Sequence, residues 1–305
     1  MRLKIQMLQR QSLRIALFTM PCLLLFNASS AMQGQGPGGN PPPPVTTVDK
    51  ISDDLYVIRG DGGNTSVYLT DEGIIVVDTK FERDHDDLVR RISALSNKPI
   101  KYVISTHPHT DHTGGNVLLS PAVIIGHKNA FTDMVKAKQP GLPQITYRNE
   151  IGINLGGKEV VGYYFGRCHT DGDTFVYFPA VKALATGDCV TTGNGQGVAN
   201  PPTSSRILID YNNGGSFVEA IGTVDQALKL DFDVVIPGHG PLVKKADVVR
   251  WRGGLERLRD RVTTEIRQGK SKQDISDLLV NEFQWDPTGN PLRSGLDGLM
   301  NELKR

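Results

Sequence analysis

The feature that most constrains this chain is one loop, residues 106–115, with the sequence Thr-His-Pro-His-Thr-Asp-His-Thr-Gly-Gly. Residues 100–104 before it have the apolar pattern of a buried strand, so the loop is predicted where a strand ends and side chains converge. Its donors suit zinc or another divalent metal: His107, His109, Asp111 and His112. A solvated polar turn is the alternative interpretation. Ligands elsewhere in the chain must decide between the two.

Composition limits the classes of function. The 305 residues are 38% hydrophobic and carry a formal net charge of +1. This is ordinary globular composition, with enough length for one large domain or two small ones. A near-neutral chain lacks the basic surface that nucleic-acid binding requires. We therefore expect a small-molecule substrate and no nucleic-acid partner.

The N-terminus has the pattern of a secretory signal peptide over residues 1–31. An apolar run at 15–26 is followed by small residues up to Ala31 and preceded by basic ones, namely Arg2, Lys4, Arg10 and Arg14. A membrane anchor is the alternative, but the run is short and Pro21 interrupts it. We expect cleavage after Ala31, no stable membrane anchor, and a periplasmic or secreted protein. A Pro/Gly-rich linker is predicted at 32–45 and a hydrolase domain at 46–305, with C-terminal helices from about 245.

Three cysteines are present, and Cys22 falls within the predicted signal peptide. Cys168 and Cys189 remain, and two cysteines can pair in an oxidising compartment. Free, buried thiols are the favoured interpretation.

The order of predicted elements indicates the fold class. Short strands alternate with helices predicted at 84–95, 217–230 and 247–267, and a long irregular loop is predicted at 191–215. This pattern favours an α/β (α+β) fold in which two mixed β-sheets pack together with helices outside. The site is expected along the common edge of the sheets.

The motifs resemble, in order, those of the metallo-β-lactamase superfamily. The loop His107-Pro-His-Thr-Asp-His112 is similar to the family's metal signature, and residues 73–78 (Gly-Ile-Ile-Val-Val-Asp) to its early strand. Three later segments also agree with it: Gly166-Arg-Cys-His169-Thr, Gly187-Asp188 and Pro237-Gly-His239-Gly. The likeness runs from about residue 54 to 243.

The resemblance implies a four-layer αβ/βα sandwich with two Zn²⁺ per chain, although iron or manganese remains open. His107, His109 and His169 would hold the first zinc. Asp111, His112 and His239 would hold the second, and Asp188 would bridge the two or bind the second. Asp78 is either the acceptor that sets the tautomer of a ligand histidine or a residue that caps the end of its strand.

Asp188 separates branches of the family. One β-lactamase subclass is similar around His169 but has a cysteine ligand near this position, and here Cys189 lies one step beyond Asp188. Adjacent strand residues point to opposite faces, so only one of the two is expected to be a ligand. We favour Asp188, as in the lactonases, thioesterases and phosphodiesterases of this family. Thr191 and Thr192 stand where a lysine would bind a β-lactam carboxylate.

The resemblance implies a zinc hydrolase that cleaves an activated acyl bond with metal-bound hydroxide, which Asp111 would orient as the catalytic residue. The signal-peptide pattern adds the expectation that this hydrolase is exported. A β-lactam-like cyclic amide is the favoured substrate. The alternatives are a lactonase or thioesterase of the same fold, an enzyme like the mononuclear-iron persulfide dioxygenases, and a metal-binding protein without catalysis.

Overall fold

The structure is a computed structural model that describes residues 46–193 and 206–304. The predicted signal peptide, the predicted linker and the middle of the predicted 191–215 loop lie outside the described residues. No helix among residues 46–193 and 206–304 is long and apolar enough to cross a membrane.

The first sheet has seven strands in sequence order. Neighbours are antiparallel up to the fourth strand and parallel from the fourth to the seventh. The strands are β1 (Thr47–Lys50), β2 (Leu55–Arg59), β3 (Thr65–Leu69), β4 (Ile74–Val77), β5 (Ile100–Ser105), β6 (Val123–His127) and β7 (Ile145–Tyr147).

The second sheet has six strands in the order β13-β12-β11-β10-β9-β8. It is antiparallel except where the eleventh and twelfth strands run parallel. The strands are β8 (Glu150–Leu155), β9 (Lys158–Tyr163), β10 (Phe175–Phe178), β11 (Ala183–Ala185), β12 (Val234–Ile236) and β13 (Val243–Lys244).

Helices connect and cover the sheets. The α-helices are α1 (His85–Leu95), α2 (Thr110–Thr113), α3 (Lys128–Lys136), α4 (Phe217–Ala227), α5 (Lys245–Arg267), α6 (Lys272–Asn281) and α7 (Asn290–Leu303). Short 3₁₀ helices span Glu82–Asp84, Asn116–Leu118, Pro179–Val181, Gly187–Cys189 and Tyr211–Asn213. In α1, Leu88 and Ile92 are one turn apart and are buried on the same side of the helix.

Three hydrophobic cores separate four layers. Strand alternation sends Val57 into the core between the two sheets and its neighbour Ile58 into the core beneath α1. The third core joins the outer face of the second sheet to α4–α7 and includes Trp285 and Leu296. Two mixed sheets flanked by helices were predicted from the sequence, and this prediction is confirmed.

Three strands at sheet edges were not predicted from the sequence, namely β1, β7 and β13. Strand β7 has only three residues and lies at an edge of the first sheet. The edge strands β1 and β13 have four and two residues, too few for a readable alternation.

Candidate metal centre

The site begins at the ends of parallel strands. β5 ends at Ser105, and the chain then turns through His107 and His109 into α2, which carries Asp111 and His112. His169 lies on the loop between β9 and β10, Asp188 follows β11 and His239 follows β12. Because β5 belongs to the first sheet and the other strands to the second, the site spans both sheets.

The seven candidate ligands converge in two groups. The ligand atoms within each group lie within 4.8 Å of one another; the groups are His107, His109, His169 and Asp188, and Asp111, His112 and His239. Asp188 lies between them. Its Oδ1 is 3.3 Å from Nε2 of both His112 and His239, and its Oδ2 is 3.7 Å from Nε2 of His169.

The ring nitrogens of the cluster are arranged to bind metal ions rather than to hydrogen-bond with one another. Nδ1 of His109 faces Nε2 of His169 at 2.9 Å, and Nε2 of His112 faces Nε2 of His239 at 3.2 Å. Nε2 of His107 is buried without a hydrogen-bond partner among the described residues. Buried imidazole nitrogens that meet in this way, beside carboxylates, form the donor set that zinc prefers.

Electrostatics keep the carboxylates ionised. Burial alone would raise the pKa of Asp188, but His239 and His112 hold it well below its usual range. At Asp111, burial also favours a higher pKa, but the neighbouring His112 and His239 lower the pKa below its usual value. Burial, followed by repulsion from His109, lowers the pKa of His169 to about 4, so this imidazole is neutral at pH 7. Ionised carboxylate and neutral imidazole are the forms that bind metals. Although burial opposes it, attraction to the carboxylates raises the pKa of His112 well above its usual value and that of His239 to about 9, so these two rings would release a proton when a metal ion binds.

Asp78, at the end of β4, holds two of the histidines. Its Oδ2 lies 2.7 Å from Nδ1 of His112 and also accepts a 2.7 Å hydrogen bond from Oγ1 of Thr106. That same Oγ1 lies 3.0 Å from Nδ1 of His107. The side chain of Asp78 thus contacts a candidate ligand histidine directly, and this contact fixes which ring nitrogen of His112 faces the cluster.

Asp210 and Leu208 were missed by sequence reasoning. Oδ2 of Asp210 lies 2.8 Å from Nε2 of His109, and the carbonyl oxygen of Leu208 lies 2.8 Å from Nδ1 of His169. Both belong to the predicted 191–215 loop, more than 35 residues from the histidines they contact. No motif in the sequence predicts the contacts of Asp210 and Leu208. The only available signal was the unusual length of that loop.

Two glycines allow backbone to approach the ligands closely. A Cβ added at Gly63 would overlap the His112 ring, and one added at Gly238 would overlap Oδ1 of Asp188. Any side chain at Gly63 or Gly238 would therefore clash with His112 or Asp188.

Cys168 and Cys189 form a disulfide with a Cα–Cα distance of 5.6 Å. The prediction of free thiols was wrong, because the loops that carry the adjacent His169 and Asp188 meet at the site and bring the cysteines together. The argument that favoured Asp188 over Cys189 assumed a strand, whereas both residues lie on a 3₁₀ helix. The structure places Asp188 in the cluster and Cys189 in the disulfide.

The two remaining histidines lie outside the cluster. His127 begins α3, where its Nε2 lies 2.9 Å from the carbonyl oxygen of Arg148 and its ring stacks on Tyr164. His85 begins α1.

Comparisons with known proteins identify relatives of this chain. The model of the metallo-beta-lactamase superfamily matches residues 58–239. The alpha subunit of a 2,4-dinitroanisole O-demethylase from Nocardioides sp. (strain JS1661) is 29% identical over 68% of this chain and 61% of its own length. A type 2 metallo-beta-lactamase from Elizabethkingia meningoseptica is 27% identical over 50% of this chain and 65% of its own length. The chain thus spans less than two thirds of either relative.

A solved structure shows the same fold. A metallo-beta-lactamase from Pontibacter korlensis superposes with a TM-score of 0.57 at 20% identity, covering 70% of this chain and 99% of that one.

Proposed function

The chain belongs to the metallo-β-lactamase superfamily of metal-dependent hydrolases, and on this premise we propose that it cleaves an activated acyl bond of a small molecule with two zinc ions. The observation that carries the proposal is the position of Asp188. One carboxylate oxygen faces His112 and His239, and the other faces His169. A carboxylate that lies between two groups of histidines is placed to bind two neighbouring metal ions.

One ion would be held by His107, His109 and His169, and the other would be held by Asp111, His112 and His239. Asp188 would bind both ions. Bound zinc supplies a water that ionises near neutral pH and a positive charge that stabilises negative charge developing on the substrate. His107 and His169, which are neutral and fully buried, offer ring nitrogens that water does not reach.

Asp111 is the more exposed of the two carboxylates in the cluster. Its side chain is 25% exposed, against 5% for Asp188, and its Oδ2 lies 3.2 Å from Nε2 of His239. As an ionised carboxylate it can only accept hydrogen bonds. It would therefore accept the proton of the attacking water and orient the oxygen lone pair toward the substrate carbonyl.

A β-lactam is the favoured substrate because curated relatives from several organisms are named metallo-beta-lactamases. A β-lactam antibiotic carries a carboxylate, and Thr191 and Thr192 occupy the expected lysine position. Oγ1 of Thr192 donates a 2.6 Å hydrogen bond to the carbonyl oxygen of Pro241, so this hydroxyl is committed to the loop. Recognition of the carboxylate would have to come from another residue.

A second candidate function is hydrolysis of an activated aryl ether. It is favoured by the O-demethylase subunit, whose alignment covers more of this chain than those of the β-lactamases. Hydrolysis of 2,4-dinitroanisole consumes one water and releases methanol and 2,4-dinitrophenol, so it needs the same nucleophile and no oxidant.

Export is part of the proposal. The signal-peptide pattern of residues 1–31 supports it, and so does the disulfide, because structural disulfides persist mainly in oxidising compartments.

Two measurements test the proposal. Metal analysis of the purified chain should give two zinc ions per molecule; one iron ion would contradict it and favour oxygen chemistry. A panel of a β-lactam, a lactone, a thioester and 2,4-dinitroanisole identifies the bond cleaved.

The matched control for Asp111 is Asp71, whose side chain is 92% exposed. Asp111→Ala should lower kcat/KM on the best substrate by roughly 100-fold or more, as loss of a proton acceptor does, and Asp71→Ala should not. Full activity of Asp111→Ala would refute the assigned role.

A further inference from the structure

One segment, residues 206–216, braces two of the candidate ligands, and we call it the bracing segment. In addition to the contacts of Leu208 with His169 and of Asp210 with His109, the backbone N–H of Asp210 donates a 2.8 Å hydrogen bond to the carbonyl oxygen of His169. The segment therefore fixes one ring nitrogen of each histidine and the backbone of one of them.

The C-terminal helix α7 holds the bracing segment through Glu302. Oε1 of Glu302 accepts a hydrogen bond from Oγ of Ser216, the last residue of the segment. Its Oε2 accepts one from the backbone N–H of Phe217 at 2.8 Å and one from the Tyr211 hydroxyl at 3.3 Å. One carboxylate of α7 thus contacts the segment at two points, and Tyr211 is the immediate neighbour of Asp210.

Tyr211 also packs against α7 with its ring. A Cβ added at Gly298 would overlap that ring, so the glycine provides the surface on which it lies. Burial and the charge of Glu302 raise the pKa of Tyr211, which keeps its hydroxyl protonated as a donor.

Capping of α4 alone does not account for this arrangement. Oγ of Ser216 already accepts a hydrogen bond from the N–H of Glu219 and serves as the N-cap of α4. Glu302 adds a negative charge at the positive end of the helix, but its contact with Tyr211 lies outside α4. The contacts link α7, which lies beyond the residues matched by the family model, to the metal centre.

We propose that Glu302 is a positioning residue for the metal centre: through Ser216 and Tyr211 it holds Asp210 and Leu208 against His109 and His169. The proposal rests on the metal centre described under the proposed function. Loss of Glu302 should weaken binding at the group that contains these two histidines and leave the other group intact.

The test measures metal binding directly, with the full chain and Zn²⁺ or Co²⁺ alone. Affinities come from competition with a chromophoric chelator, and the visible spectrum of Co²⁺ reports the geometry of each bound ion. Glu302→Ala should lower the affinity of one of the two ions by about tenfold, the lower end of the range for residues that orient ligands, and alter its spectrum. Glu302→Gln, which keeps an oxygen acceptor, should retain most of the affinity.

Two further variants complete the test. Asp297→Ala, on the same helix, removes a carboxylate that is 71% exposed and paired with Lys272, and it should leave both affinities unchanged. Tyr211→Phe keeps the ring on Gly298 and removes only the hydroxyl bonded to Glu302. It should weaken the same ion to a smaller extent, and it remains informative if Glu302→Ala does not fold.

The outcomes separate this proposal from the one before it. A wild-type chain that binds no metal refutes the proposed function and, with it, the role of Glu302. If the wild type binds two ions and both Glu302→Ala and Tyr211→Phe bind them as tightly, only the role of Glu302 is refuted. Equal losses in Glu302→Ala and Asp297→Ala would also refute it, because the effect would then be general destabilisation.

Discussion

Breaking the Cys168–Cys189 disulfide should cost a defined amount of stability. The bond closes a loop with a sequence separation of 21 residues. In the chain-entropy treatment, a loop of that length stabilises the folded protein by about 3 kcal/mol at 25 °C, because the crosslink restricts the unfolded chain. Both cysteines are fully buried in the core beside α4.

The assay is urea unfolding of the metal-free protein, with and without a reductant. Reduction should lower the free energy of unfolding by about 3 kcal/mol. The control is the double variant Cys168→Ala, Cys189→Ala, on which the reductant should have no effect. Reduction should also weaken metal binding, since the bond joins the residues next to His169 and Asp188.

A difference below about 1 kcal/mol between oxidised and reduced wild type would refute the entropic account. Equal numbers of reactive thiols in unfolded protein before and after reduction would refute the bond itself.

Three further predictions concern single side chains. Gly63→Ala should displace the His112 ring and weaken metal binding, whereas Gly152→Ala, where an added Cβ meets nothing within 4 Å, should not; the chelator competition assay compares the two. Asp78→Ala should reduce the affinity of the ion held by His112 by roughly 10- to 100-fold in the same assay, because the ring loses the partner that orients it, and an unchanged affinity would contradict that role. Burial raises the pKa of Asp173 from 3.8 to about 7, so the native state binds a proton that the unfolded state releases, and the stability from this group is lost as the pH rises from about 4 to 7. The free energy of unfolding of Asp173→Asn, taken relative to that of the wild type, should therefore increase by about 1.4 kcal/mol per pH unit across that range and stay level above it. Urea titration at each pH measures both free energies. A difference between variant and wild type that does not change with pH would contradict the raised pKa.

The resemblance to the family, which the order of the motifs carries, was enough to predict which side chains meet. The four donors of residues 107–112 are local, and His169, Asp188 and His239 each follow or precede a short apolar strand of readable pattern. Parallel strands carry their carboxyl ends to one edge of a sheet, so the convergence of these residues follows from the fold class.

The supporting contacts could not be read in this way. Asp210 contacts His109 across 101 positions of the chain, and Glu302 contacts Ser216 across 86 positions. Neither residue lies in a periodic or motif-like pattern. The disulfide depends on the distance between two loops, which composition and spacing do not determine. The Asx and cap contacts that form such loops depend on local geometry that the sequence leaves open.

The candidate ligands come from loops of both sheets, so the complete set forms only in the folded chain. A metal ion held by this set would bind the folded chain in preference to the unfolded one, and its binding free energy would add to stability by mass action. Free zinc at a thousand times the dissociation constant adds about 4 kcal/mol. Metal occupancy would thus report that the two sheets have packed together. When the metal is scarce, the metal-free chains would be exposed to proteolysis, while each metal-loaded molecule would keep its activity.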